Sequence, residues 1–165
     1  MKSVLWSIRR PHTDNIKNGN KLDEIRKRIP KELTSETVNY IYETKANGGC
    51  GKVIGEFKVQ NKVYIYADIV NGVKHLYNTA FIIPALSDEE LFTYLYDGKQ
   101  NDGWALRISN LRIYDKPKPI MQFYKPCPIE WKNCPVCEFY SKNAGTCMNN
   151  IDRPPQSWLY VDELE

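Results

Sequence analysis

Residues 19–28 read Gly-Asn-Lys-Leu-Asp-Glu-Ile-Arg-Lys-Arg, and an extended segment so rich in ionic groups restricts the folds that can hold it. Side chains of a strand alternate between its two faces. Leu22, Glu24, Arg26 and Arg28 therefore share one side, and Lys21, Asp23, Ile25 and Lys27 the other. Neither set is an ordinary apolar core face. A free edge strand can carry such charge as a guard against aggregation, but strand-like runs lie on both sides, at 4–8 before it and at 38–42 and 53–59 after it. A charged strand held among others lines a polar site. A short helical segment between Pro11 and Gly19, with proline near its start and glycine at its end, leads into it.

Strand-like alternation recurs at 3–9, 21–28, 38–44, 52–59, 62–68 and 104–114, with Gln60-Asn61 read as the tight connection of a hairpin. One clear helix is predicted over 87–96. Ser87 and Glu90 have capping-box spacing, Leu91, Phe92 and Leu95 form an apolar stripe, and Gly98 follows the end. The tyrosines and phenylalanines are read as core packing, since most fall on the apolar phase of their strands. The class is α+β, mostly sheet with short flanking helices. A chain of 165 residues, 42% hydrophobic, can bury one substantial core, so residues 1–165 are expected to form a single domain. No run approaches the ~20 apolar residues of a membrane span, and the first apolar run is too short for a signal peptide. A cytoplasmic protein is expected.

Charge is unevenly spread along the chain. Residues 1–62 hold 13 Lys/Arg against 7 Asp/Glu, whereas residues 63–165 hold 10 against 13. A polyanion such as RNA would be drawn to the basic half by counterion release, while a solvated basic face that binds nothing gives the same count.

Cys127, Cys134, Cys137 and Cys147 fall in a stretch that also holds Pro126, Pro128, Pro135 and Gly145, which can hardly build an apolar core of its own. Disulfides are rare in a cytosolic chain, and the Cys134-Pro-Val-Cys137 spacing lets two thiolates share one metal, with Cys127 and Cys147 completing a tetrahedron. Zinc is the economical occupant; an iron–sulfur cluster and unligated thiols are the alternatives. A closed four-thiolate site would be structural, with no position left for a reacting water. Residues 121–150 are thus read as a metal-binding embellishment, and 151–165 as a tail in which Trp158, Tyr160 and Val161 return as a strand. Cys50, in Asn-Gly-Gly-Cys-Gly-Lys, lacks the spacing of a phosphate-binding loop and is read as part of a hairpin turn.

Gly19, Lys21, Glu24 and Arg26 form a G-x-K-x-x-E-x-R pattern, followed by Tyr-Ile-Tyr-Glu-Thr-Lys at 40–45, Gly-Lys-Val-Ile-Gly-Glu-Phe at 51–57 and Trp-Ala-Leu-Arg-Ile-Ser-Asn-Leu at 104–111. This ordered set, spanning most of residues 3–115, resembles the ASCH family of the PUA-like superfamily. The four-cysteine loop and the Arg-Pro-Pro-Gln-Ser-Trp tail at 153–158 resemble a phage or bacterial subgroup.

The resemblance implies a small bent β-barrel that binds RNA or a modified nucleotide in a basic cleft. Lys21, Arg26 and Arg28 would contact phosphate or base, Glu24 would orient them or read an amino edge, and Trp6 or Trp104 would stack. Some compact bacterial relatives hydrolyse the amide of acetylated cytidine with a lysine, a threonine and an acid. Lys21 matches that lysine, but Glu24 stands where the threonine would be, which removes the expected nucleophile. The enzymatic alternative, an amidohydrolase on acylated nucleosides or a ribonuclease, needs Lys21 as a base. Its hydroxyl would come from Ser7, Thr44 or Ser109, and its acid from Glu89 or Glu90. A protein partner for the basic face is a third alternative, and the oligomeric state is not legible.

Overall fold

In the computed structural model, which describes residues 2–126 and 149–164, the chain runs through β1 (Lys2–Ile8), α1 (His12–Lys17), β2 (Asp23–Arg26), β3 (Asn39–Glu43), β4 (Lys52–Val70), β5 (Val73–Tyr77), α2 (Asp88–Leu95), β6 (Asp102–Lys118) and β7 (Trp158–Asp162). The fold is mostly sheet, with these two α-helices among the described residues. It divides into two compact units: Met1–Arg10, Thr37–Phe57 and Leu111–Glu165 form the first, and Pro11–Glu36 with Lys58–Asn110 the second. The long strands β4 and β6 contribute to both.

In the first unit, β1 pairs in parallel with β3 and antiparallel with β7, and β3 pairs antiparallel with the start of β4. The end of β6 passes so close to β4 that a Cβ on Gly55 would stand 2.4 Å from the Arg112 carbonyl oxygen; only glycine fits there. Leu5, Tyr40, Tyr42, Val53, Phe123 and Val161 are buried in one cluster, the apolar burial that drives this unit to close. Backbone bonds from Lys125 to the Asn149 carbonyl (2.8 Å) and from Ile151 to the Phe123 carbonyl (2.9 Å) flank a Tyr124–Asn150 bridge. The four cysteines of the expected metal loop lie between these points, outside the described residues.

In the second unit, β2 pairs antiparallel with β6, β6 neighbours β4, and β5 pairs antiparallel with the end of β4. Gln60-Asn61 is not a turn. β4 runs straight through it, and the hairpin closes at Asn71-Gly72, whose φ values are 51° and 79°. A two-residue connection of this kind needs positive φ at both positions, which Asn-Gly supplies and Gln-Asn does not favour. The helix α2 forms as expected: the Ser87 hydroxyl accepts from the Glu90 amide while the Glu90 carboxylate accepts from the Ser87 amide. Leu91, Phe92 and Leu95 of α2 pack on Ile25, Ile65, Ala67 and Ala105.

Candidate functional site

The charged segment is strand only from Asp23 to Arg26, shorter than the 21–28 its composition suggests. The Lys21 amide donates to the Asn15 carbonyl of α1, and the amides of Leu22 and Asp23 both donate to the Ile83 carbonyl. Lys21 is therefore outside the alternation of the strand, and its side chain reaches Glu24 rather than the opposite face.

Lys21 Nζ lies 3.2 Å from Glu24 Oε2, and Arg26 Nε lies 2.9 Å from Glu24 Oε1, with side-chain exposures of 2%, 5% and 10% for Lys21, Glu24 and Arg26. Burial pushes the Glu24 carboxyl up, but the Lys21 ammonium and the Arg26 guanidinium more than offset this and hold it below the usual carboxylate range. Removing such charges from water costs several kcal/mol per ion, so three ionic groups here are expensive furniture for a fold that could have used apolar ones. They leave one net positive charge. His12, on α1, belongs to the same neighbourhood: burial and then Lys21 hold its imidazole below the ordinary value, and its buried Nδ1 has no hydrogen-bond partner among the described residues. The site thus combines cationic donors, a carboxylate acceptor and a neutral imidazole.

On the other parity of β2, Asp23 meets Arg107 of β6 through Nε (2.9 Å) and a terminal nitrogen (3.0 Å). The same guanidinium donates to the Phe81 carbonyl at 2.7 Å, and the Asp23 carboxylate accepts from the Ile83 amide at 2.7 Å. This pair ties the loop before α2 to the segment that carries Lys21. The sequence pattern assigns neither residue a role, although a lone Asp on the core-facing parity of a strand requires a partner of this kind.

Of the remaining expected ligand residues, Arg28 is exposed beyond the end of β2 and Trp104 is half-buried on β6, directly opposite Arg26 in register. Trp6 must be corrected. It is fully buried in the first unit, its indole N–H donates to Asn39 Oδ1 at 2.9 Å, and its ring packs 6.2 Å from Trp158. It has no ring face to offer a base. Four of the five catalytic partners suggested for Lys21 are engaged elsewhere. Ser7 donates to the Pro155 carbonyl and Ser109 to the Lys58 carbonyl, while Glu89 pairs with Lys74 and Glu90 completes the α2 cap. The Thr44 hydroxyl is buried without a hydrogen-bond partner among the described residues. Cys50 sits in the β3–β4 connection, its amide donating to the Glu43 carboxylate at 2.8 Å.

Two further expectations change. The basic bias of the first half of the chain does not concentrate in the unit that holds Lys21: the second unit carries eleven Lys/Arg and eleven Asp/Glu. Nor are the aromatics all core. Tyr64, Tyr66, Tyr77 and Trp104 stand partly or well exposed on the side of the sheet away from α2.

The fold is similar to that of the ASCH protein of Zymomonas mobilis, at 19% identity and a TM-score of 0.61, covering 98% of this chain and 88% of that one. Two single-residue variants of the Zymomonas protein give 17% and 18% identity with TM-scores of 0.61 and 0.60. No protein-family model matches the chain, and no curated protein matches it. The likeness over nearly the full length establishes an ASCH-type fold. No helix among the described residues is long and apolar enough to cross a membrane.

Proposed function

From an ASCH-type fold with a buried Lys21–Glu24–Arg26 cluster, we propose a module that binds RNA or a modified nucleotide, and that recognises the base more than the phosphate chain. The cluster is the observation that carries this reading. Buried ionisable groups gathered in one place cost the fold stability and are characteristic of functional sites. An ammonium and a guanidinium donate, and a carboxylate and a neutral imidazole nitrogen can accept, which suits the mixed edge of a heterocycle. One net positive charge in a unit of balanced charge suits a single phosphate better than a long polyanion. Trp104 extends the site from the Arg26 register position, and exposed Arg28 adds a peripheral cation.

Calorimetry with nucleoside monophosphates, modified nucleosides and short single-stranded RNA tests this. Binding should weaken at least tenfold on Lys21→Ala or Arg26→Ala, and the salt slope should be shallow, near that of one phosphate rather than several. Unchanged affinity in both variants would remove the cluster from the site. On the sequence pattern alone, Cys127, Cys134, Cys137 and Cys147 are proposed to hold a structural zinc ion.

A further inference from the structure

The second unit carries a row of aromatic rings that neither its core nor the charged cluster uses. Trp104 of β6 lies 5.4 Å from Tyr64 of β4, Tyr64 lies 6.1 Å from Tyr66, and Tyr66 stacks on Tyr77 of β5 at 4.4 Å with 7° between the planes. His75 continues it, 6.2 Å from Tyr77. The alternate positions Ile65, Ala67 and Ala105 face the core beneath α2, so the rings occupy the opposite side. Tyr64 keeps 42% of its surface exposed, and its hydroxyl is held by Asp102 Oδ2 at 2.9 Å.

Cross-strand aromatic pairs stabilise sheets, and one such pair needs no other explanation. A run across three neighbouring strands that leaves Tyr64 exposed and Trp104, Tyr66 and Tyr77 only partly buried is different, because rings left in contact with solvent forfeit part of the burial that makes aromatics worth having in a fold. The row also has a charged end. Arg26 is the register partner of Trp104, so the strand order β2-β6-β4-β5 places the net-positive cluster at one edge and the stacked tyrosines at the other. From Arg26 on β2 to Tyr77 on β5 there are three strand spacings of ~4.8 Å, so cluster and row together span roughly 14 Å, enough for about three or four nucleotides of a stacked single strand. Exposed sheet faces whose rings stack two or three bases are a recurring solution to single-stranded RNA binding.

Resting on the reading above, we infer that Trp104, Tyr64, Tyr66 and Tyr77 form a base-stacking track for single-stranded RNA that starts at Arg26. The cluster holds one nucleotide and the track holds its neighbours. The positive end favours an anionic strand over a second copy of this chain as the occupant.

Affinities for a short labelled RNA and for the four nucleoside monophosphates separate the two parts. The RNA should bind more tightly than any mononucleotide. Tyr64→Leu and Tyr66→Leu should each weaken RNA binding about ten- to hundredfold and leave mononucleotide binding unchanged. In the unaltered protein, RNA carrying 4-thiouridine should photo-crosslink to peptides containing Tyr64, Tyr66 or Tyr77, a readout independent of how the variants fold. RNA bound no more tightly than a mononucleotide, or crosslinks confined to other peptides, would overturn the track and leave the cluster reading intact. So would a dimer in sedimentation that Tyr66→Leu converts to monomer. Absence of binding to both ligands would overturn the two together.

Discussion

Asp23 and Arg107 face each other across β2 and β6 as register partners, and their two-pronged pair also holds the backbone at Phe81 and Ile83. The pair thus ties the loop before α2 to the strand that leads out of Lys21, alongside the Leu22 and Asp23 amides that donate to the Ile83 carbonyl. Asp23→Asn should cost roughly 1.5–3 kcal/mol, the worth of hydrogen bonds to a charged group, and should speed amide exchange at Leu22, Asp23 and Ile83. Arg107→Lys keeps the charge but loses the planar fork, so most of the same loss should appear in urea unfolding. Wild-type stability in both variants would remove this pair as the anchor.

Glu24 balances two buried cations, and the balance has a pH signature. Its carboxyl is held below the ordinary 4.5, so the stability it contributes is present above that value and lost as pH falls through the depressed folded value. His12 is held below its ordinary 6.5. It too contributes fully above that value and less as pH falls through its own folded value. The two slopes have the same sign, and unfolding free energy should decline on acidification from about pH 6.5. His12→Gln should flatten the upper part of that decline and Glu24→Gln the lower part. At neutral pH, Glu24→Gln should itself cost roughly 3–5 kcal/mol by leaving the cations uncompensated. A pH-independent stability curve in the wild type would contradict this account.

The Asn71-Gly72 turn sets the register of the β4–β5 hairpin, and so the stacking of Tyr66 on Tyr77. Gly72 has a φ of 79°, and a side chain there costs roughly 1–2 kcal/mol. Gly72→Ala should lower stability by about that amount and reduce protection of the β5 amides in hydrogen exchange. Undiminished protection would show that pairing along the strands, not the turn, sets the register.

If the four cysteines hold zinc, native mass spectrometry should find one metal ion per chain, absent from Cys134→Ser. Chelation should lower the melting temperature, because the binding free energy of a structural zinc is folding free energy. Visible absorbance from a brown protein would assign an iron–sulfur cluster instead.

Much of the fold was legible because its signals are local. The capping box at Ser87 and Glu90, the alternation in β1, β3 and β6, and the helix ending before Gly19 each follow from residues close in the chain. The expectations that fail are those that context decides. Gln60-Asn61 breaks the apolar rhythm of β4 without breaking the strand, while the turn forms beyond it at Asn71-Gly72. Trp6 has the chemistry of a stacking residue, yet Asn39 satisfies its indole N–H inside the core, a contact between residues far apart in sequence. The Lys21–Glu24–Arg26 cluster could be suspected from spacing, but not that Glu24 would neutralise part of its charge. The aromatic row depends on strand order, which joins β6, β4 and β5 from separate stretches of sequence.

The Tyr124–Asn150 bridge has a consequence for how this chain can change. The chain on either side of residues 127–148 is held together at nearly one point, by the Lys125 amide and the Asn149 carbonyl, while the register of β7 on β1 is set by contacts between described residues. Closing a longer excursion costs little, about 0.6 kcal/mol for each doubling of its length. The neck is thus a natural grafting point, where a segment can be exchanged for one of different length and chemistry while β7 keeps its place on β1.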